Sequence, residues 1–267
     1  MAVVVWKNIG VLRGLAMCFV VLIHSVRYVQ SNFIAPSGTF SPATHPAEFT
    51  VIISICAIAP LCLLAFVFAS GFTMYQMYLS WRATWRTAFT TLKKYLIWSI
   101  FLFLLLSIKD AKFDLEAIIK GIFFGGPMSG YWFIVFIIIM YLISPLWIFL
   151  VRLYPISSTI IAITLQVFSF WLYYSNYVFP EALTRLVILP LIFSPTFIAG
   201  LFLCKYSKEC IPYLQRNKKS FKKMSCIFSI LCIAEATIIG YFNDWDASSV
   251  GQWIATERIT VLLLFIT

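Results

Sequence analysis

Charge is scarce in this sequence. Only 11% of its 267 residues are Asp, Glu, Lys or Arg, against about 25% in ordinary soluble domains. With 62% of residues hydrophobic, that scarcity excludes a soluble globular domain. Histidine is scarcer still, with His24 and His45 the two present. The seven cysteines, Cys18, Cys56, Cys62, Cys204, Cys210, Cys226 and Cys232, include no Cys-x-x-Cys pair and lie in or beside apolar runs. They read as small buried hydrophobes and not as a disulfide framework or metal site. No Gly-rich phosphate loop, His-Glu-x-x-His motif or nucleophile elbow is present, so phosphate-loop, zinc-hydrolase and serine-elbow chemistries have no foothold. Internal repeats, soluble domains and low-complexity linkers are also lacking. Of the usual catalytic groups, a histidine-centred mechanism remains.

What the chain has instead is long apolar runs. A spanning helix needs about 20 mostly apolar residues, and runs of that kind cover roughly 9–29, 50–79, 92–108, 131–151, 156–174, 185–203 and 225–242, with a last one beginning near 250. The expectation is an all-α, polytopic transmembrane helix bundle with seven full spans and a partial eighth. The run at 50–79 exceeds one span, so it is expected to tilt or to begin along the interface. No small-residue cleavage pattern follows the first run, which reads as a retained helix and not a removed signal peptide. Aromatic residues make up 18% of the chain, and Trp and Tyr near the ends of runs suit interfacial belts.

The formal charge of +10 is a topology signal. The cations are not gathered on one soluble face with interleaved aromatics, so no nucleic-acid partner is expected. Placing the N-terminus in the cytoplasm puts Arg82, Arg86, Lys93, Lys94, Arg152 and the cluster from Lys205 to Lys223 inside. Glu48, Asp110, Asp114, Glu116, Glu181, Asp244 and Asp246 then fall outside, as the positive-inside rule prefers. The connection 30–49 is rich in turn residues, which explains His45 and Glu48 without chemistry. Segment 109–130 is expected to hold a short interfacial helix stopped by glycines and Pro127. The final run ends at Thr267 without a polar flank, so the single membrane domain, 1–267, is expected to be incomplete at its C-terminus.

Two ionisable residues stand inside the first run. Arg13 and His24 are eleven positions apart, a spacing that returns to within about 20° of one helix face and advances about 16.5 Å. Ionisable groups in spanning helices are costly and usually face protein or water. One reading is therefore a functional stripe. The other is that Arg13 fixes orientation and His24 is an interhelical hydrogen-bond partner. A transporter or channel with an Arg/His-lined pathway is the alternative class, in which His24 relays protons. Such proteins often show repeats and matched broken helices, and neither is found. Glu235, inside the seventh run, must be paired, protonated or beside water at that depth.

The stretch "RGLAMCFVVLIHS", with Arg, ten residues, then His in a first span, resembles the signature of the acyltransferase 3 family of membrane acyltransferases. Further segments follow in the family's order. Ser70-Gly71-Phe72 after a Phe-rich run resembles its second helix, although Pro60 stands ten residues before the serine where the family often has one about six before. The tripeptide also reads as a packing motif, in which Gly71 lets a neighbouring helix approach and Ser70 bonds a carbonyl one turn back. "TLKKYLIWSI" resembles the opening of its third helix, with Lys94 in place of the usual proline. "GYWFIVFIIIMYLISPLW" and "LPLIFSPTFIAGLFL" resemble two later helices. The family typically has about ten spans.

The resemblance implies an acyltransferase that moves an acyl group, acetyl by expectation, from cytoplasmic acyl-CoA (acetyl-CoA) to a hydroxyl of a surface or envelope carbohydrate. A bacterial-type inner membrane is the expected setting, with the lipid bilayer a partner and no bound cofactor or metal. His24 is the expected general base. Arg13 would hold the donor, and Ser70 would support His24 or the developing oxyanion. Arg82, Arg86, Lys93 and Lys94 would meet donor phosphates, for which Arg forks and Lys charges suit different oxygens. Glu235 and Trp132 are candidate supporting residues, although Trp132 is equally an interfacial anchor. An inactive truncated acyltransferase is a further alternative.

Overall fold

The structure is a computed structural model that describes residues 46–58, 61–77, 81–110, 115–124, 132–174 and 184–243, with a discontinuous set between Ile9 and Val26. Among these residues there is no strand. The helices are α1 (Pro46–Ile58), α2 (Leu61–Met77), α3 (Trp81–Asp110), α4 (Leu115–Phe124), α5 (Trp132–Leu153), α6 (Pro155–Tyr174), α7 (Leu189–Lys205), α8 (Ser207–Arg216) and α9 (Lys218–Asn243), with a π-helical turn at Thr184–Ile188 leading into α7. Among the described residues, four helices are long and apolar enough to cross a membrane: Trp81–Ile108, Phe133–Leu153, Pro155–Leu172 and Leu186–Lys205. The described residues of the first run are helical.

Two compact units divide the chain, Ser70–Lys205 on one hand and Met1–Ala69 with Tyr206–Thr267 on the other. In the first, α5 and α7 form the interior. Phe136, Met140, Ile148 and Val151 of α5 and Phe197, Ile198 and Leu201 of α7 are fully buried, and Phe136 meets Phe193 edge-on with centroids 5.3 Å apart.

Both inner helices contain a proline, Pro145 in α5 and Pro195 in α7. A helical proline donates no N–H to the carbonyl four residues back. In each case the preceding serine supplies a substitute: Ser144 Oγ donates to the Tyr141 carbonyl at 2.7 Å, and Ser194 Oγ donates to the Leu191 carbonyl at 2.8 Å. The next carbonyl along α7, that of Ile192, accepts from Gln166 Nε2 of α6 at 2.7 Å. Prolines are tolerated in membrane helices where neighbours and hydroxyls satisfy the freed backbone in this way.

Around this interior, α6 and α3 pack with one narrow face each. Along α3 that face is Thr84, Ala88, Tyr95 and Ser99, all buried, at spacings that return to one side of a helix. The other side exposes Trp81, Trp85, Phe89, Ile97, Trp98 and Phe101. Tyr95 Oη donates to the Ile122 carbonyl at 2.5 Å and ties α4 to α3. A Cβ on Gly121 would overlap the Phe103 ring, so the glycine lets the two helices touch. In the second unit, α1 packs against α9, and Tyr213 of α8 meets Phe221 of α9 edge-on with centroids 6.3 Å apart.

Two expected boundaries change. Within the run 50–79 the described residues form two helices, α1 to Ile58 and α2 from Leu61. Pro60 between them disfavours helical geometry at the residue before it and lacks an N–H of its own. The span expected from residue 92 begins at Trp81. Hydropathy hid this, because Arg82, Arg86 and several threonines depress the average. The threonines nevertheless bond back within the helix, Thr87 to the Ala83 carbonyl at 3.0 Å and Thr91 to the Thr87 carbonyl at 2.9 Å, so their hydroxyls do not compete with it. The short helix expected within 109–130 is present as α4, which carries an exposed Lys120–Glu116 ion pair at 2.5 Å.

Candidate functional site

Ser70 is completely buried, and its hydroxyl has no hydrogen-bond partner among the described residues. The sequence offered a structural reading in which this hydroxyl bonds back one turn, as Ser144 and Ser194 do; Ser70 does not. Its own carbonyl accepts from Thr73 Oγ1 at 3.1 Å. Leaving a buried hydroxyl unpaired costs about 1–3 kcal/mol, which the surrounding packing must offset.

That packing begins at the next residue. A Cβ built on Gly71 would overlap the Phe197 carbonyl oxygen and lie 3.0 Å from its carbonyl carbon. Only glycine lets α2 come this close to α7, so the contact holds Ser70 beside a rigid inner helix. Phe72 is buried as well. The tripeptide that read as a packing motif is one, and it also presents a polar group with no partner among the described residues.

One and a half turns further along α2, polar side chains gather at the ends of three helices. The Arg152 guanidinium lies 5.4 Å above the Tyr75 ring, within cation–π range. Lys205 Nζ donates to the Val151 carbonyl at 2.9 Å and to the Arg152 carbonyl at 3.2 Å, covering the C-terminal carbonyls of α5 where a cation is favoured. Gln76 shares a side-chain hydrogen bond with Cys204, and its Oε1 is buried without a partner among the described residues. Sequence reasoning took Arg152 and Lys205 for topology signals alone. Tyr75 and Gln76, polar at the end of an apolar helix, were the available hint that something converges there.

The other candidates are more dispersed. Arg82, Arg86, Lys93 and Lys94 are all exposed, on the side of α3 away from its buried face. Ser70 is in the interior, so the structure does not bring these cations and that hydroxyl into one cluster. Trp132 opens α5 and Glu235 lies within α9, with both side chains outside the described residues. Arg13 and His24 lie outside the described residues too, although Leu12 and Gly14 on either side of the arginine and Ser25 after the histidine are helical.

A family model described as an acyltransferase domain matches residues 6–266, nearly the whole chain. No curated protein and no solved structure matches it.

Proposed function

Because this chain belongs to the acyltransferase 3 family and is an integral membrane acyltransferase, we propose that it moves an acyl group, acetyl in the first instance, from cytoplasmic acyl-CoA to a hydroxyl of a surface or envelope carbohydrate. In this reading one acyltransferase domain occupies the chain, seven full spans cross a bacterial-type inner membrane, and the N-terminus is cytoplasmic. The observation that carries it is Ser70, a buried hydroxyl with no partner among the described residues, held beside an inner helix by the Gly71 contact, which fits a group available to a substrate or to His24.

His24 is the general base. A hydroxyl is a poor nucleophile near neutral pH, and a positioned base typically contributes about 10²- to 10⁴-fold. As the acceptor oxygen attacks the thioester carbonyl, His24 takes its proton; the carbonyl oxygen becomes an oxyanion that Ser70 can stabilise; collapse expels coenzyme A as a thiolate, a leaving group that needs little acid help. An acyl-histidine that carries the group part of the way is a variant of the same scheme. Arg13, at the cytoplasmic end of the same stripe, holds phosphate or amide groups of the donor. Arg82, Arg86, Lys93 and Lys94 draw in its phosphates from the exposed side of α3, with Glu235 and Trp132 as supporting residues.

Mass spectrometry of surface glycans, with and without the protein, tests the reaction: a fixed mass difference of one acyl group per repeat unit is expected. In the same assay His24→Ala is expected to abolish that difference while isothermal binding of acyl-CoA persists, since a base matters only once the hydroxyl is losing its proton. Arg13→Ala is expected to weaken donor binding, by about 1.5–3 kcal/mol for a lost charge-assisted bond. Unchanged transfer by His24→Ala would overturn the mechanism. For topology, a cysteine placed at Ser37 in a cysteine-free background should react with an impermeant reagent in intact cells and one at Ser220 should not; the reverse pattern removes the donor-side assignment.

A further inference from the structure

The α8–α9 elbow carries charge that the acyl-transfer reading does not use. Lys208 and Arg216 of α8 and Lys218, Lys219, Lys222 and Lys223 of α9 are all exposed, and none of the six makes an ion pair among the described residues. Glu209 is the one acidic residue in this stretch, and the first turn of α9 contains none. Lys218 and Lys222, and Lys219 and Lys223, are like-charge pairs four apart on one helix, an arrangement that opposes helix formation. An anionic partner would turn that repulsion into attraction.

The same helix face shows which partner fits. At 100° per residue the four lysines of α9 occupy an arc of about 140°, and Cys226 and Ile230 continue within it toward the C-terminus, with Ile227 just beyond its edge. Those three residues are exposed, Ile227 by 54% and Ile230 by 61%. Lys222 is four residues from Cys226, about 6 Å along the axis. One continuous surface thus passes from ammonium groups to bare hydrocarbon within a single turn. A soluble acidic peptide or nucleotide matches its first half only, whereas a phospholipid matches both, with its phosphate on the lysines and its acyl chain along the isoleucines.

The second helix completes the arrangement. No residue of α8 is fully buried; its half-covered side is Cys210, Ile211 and Leu214, and its outer side carries Lys208, Gln215 and Arg216. Tyr213, 61% exposed, meets Phe221 edge-on, which pins α8 to the first turns of α9. We infer that the α8–α9 elbow is a binding surface for anionic phospholipid headgroups, with the lysines of α9 at phosphate level and α8 lying along the interface. This rests on α9 entering the bilayer, which belongs to the seven-span reading.

The full chain reconstituted in nanodiscs of phosphatidylcholine with phosphatidylglycerol, extracted mildly and weighed by native mass spectrometry, tests this. Phosphatidylglycerol is expected to be enriched over phosphatidylcholine on the protein, to be lost on raising the salt, and to fall roughly fivefold in affinity for each lysine removed. Lys218→Gln, Lys219→Gln, Lys222→Gln and Lys223→Gln together should abolish enrichment, whereas the four Lys→Arg changes keep it and show that the elbow folds. Enrichment that survives the glutamine changes overturns the proposal, as does equal loss when Arg82, Arg86, Lys93 and Lys94 are neutralised instead. Displacement of phosphatidylglycerol by coenzyme A would also overturn it, by moving the elbow to the donor site. Insertion is read separately: Ile230→Cys should be shielded from a water-soluble maleimide in the nanodisc, and labelling there would defeat the spanning of α9 along with the headgroup site.

Discussion

Within the Ser70–Lys205 unit, two kinds of membrane helix stand side by side. In the apolar windows of α5 and α7, 56% and 44% of residues are buried in protein; in those of α3 and α6, only 11% and 17% are. The inner pair contains the internal prolines and the serines that repair them. The outer pair has no proline beyond its first residue, and it turns Trp, Phe and Ile outward. The difference follows from the solvent. A carbonyl freed by proline in a lipid-facing helix would meet hydrocarbon, whereas inside the bundle a hydroxyl or an amide such as Gln166 can reach it. Among the described membrane helices of this unit, internal prolines therefore stand in the interior.

The largest effect on stability is expected where the inner packing admits no side chain. Gly71→Ala places a methyl group on the Phe197 backbone carbonyl, which cannot rotate away, and overpacking of this kind costs about 1–3 kcal/mol. Gly121→Ala meets only the Phe103 ring, which can move. Thermal unfolding of both variants in detergent should place Gly71→Ala well below Gly121→Ala. If the two melt together, α2 and α7 are not held as closely as the comparison of inner and outer helices requires.

A smaller effect tests the serines. Ser144→Ala and Ser194→Ala each leave a buried carbonyl without a donor and should cost about 1–2 kcal/mol. Thr87→Ala and Thr91→Ala on the outer helix remove hydroxyls from carbonyls that keep their own N–H donors, and should cost close to nothing. The pairing can be sharpened by a double change. Once Pro145→Ala restores an N–H at position 145, Ser144→Ala should become nearly neutral, a non-additivity expected only if serine and proline act on one carbonyl. Simple addition of the two costs would break the argument.

Much of this was legible in the sequence. Apolar run length located α5, α6 and α7 closely, because a membrane helix must be both long and apolar. The first run and the seventh read the same way, but neither is among the four described helices long and apolar enough to cross a membrane, and the first lies largely outside the described residues. Composition could not reveal that residues 81–91 join α3, since a helix whose outer side is Arg, Thr and Trp lowers the hydropathy average without losing its period. Pro60 was visible as an irregularity of spacing, but whether it kinks or ends a helix depends on neighbours that sequence does not show. At the site, Ser70 and Gly71 were found by motif, and the glycine's packing role was foreseen. The convergence of Tyr75, Gln76, Arg152 and Lys205 was not: it joins residues up to 130 positions apart (205 minus 75), and each has an ordinary local explanation.

A shift of the opposite sign is expected at the serine that breaks the inner pattern. Ser70 and Ser194 are both fully buried, and Ser→Ala is the same chemical change at each. At position 194 it removes the hydroxyl that donates to the Leu191 carbonyl, so the protein should lose stability. At position 70 it removes a hydroxyl with no partner among the described residues, so the protein should gain, by up to about 1 kcal/mol, because an unpaired polar group leaves the interior. A group that costs stability and is retained is a candidate for function, where activity and stability trade against each other. Acyl transfer by Ser70→Ala should accordingly fall by about 10²-fold or more if its hydroxyl supports the oxyanion, while Ser194→Ala loses activity only in proportion to the protein that unfolds. Measuring melting temperature and transfer for the two variants side by side separates the roles. A Ser70→Ala protein that is less stable than the parent and fully active would mean that the hydroxyl has a structural partner after all, and the case for a reserved catalytic group at that position would end there.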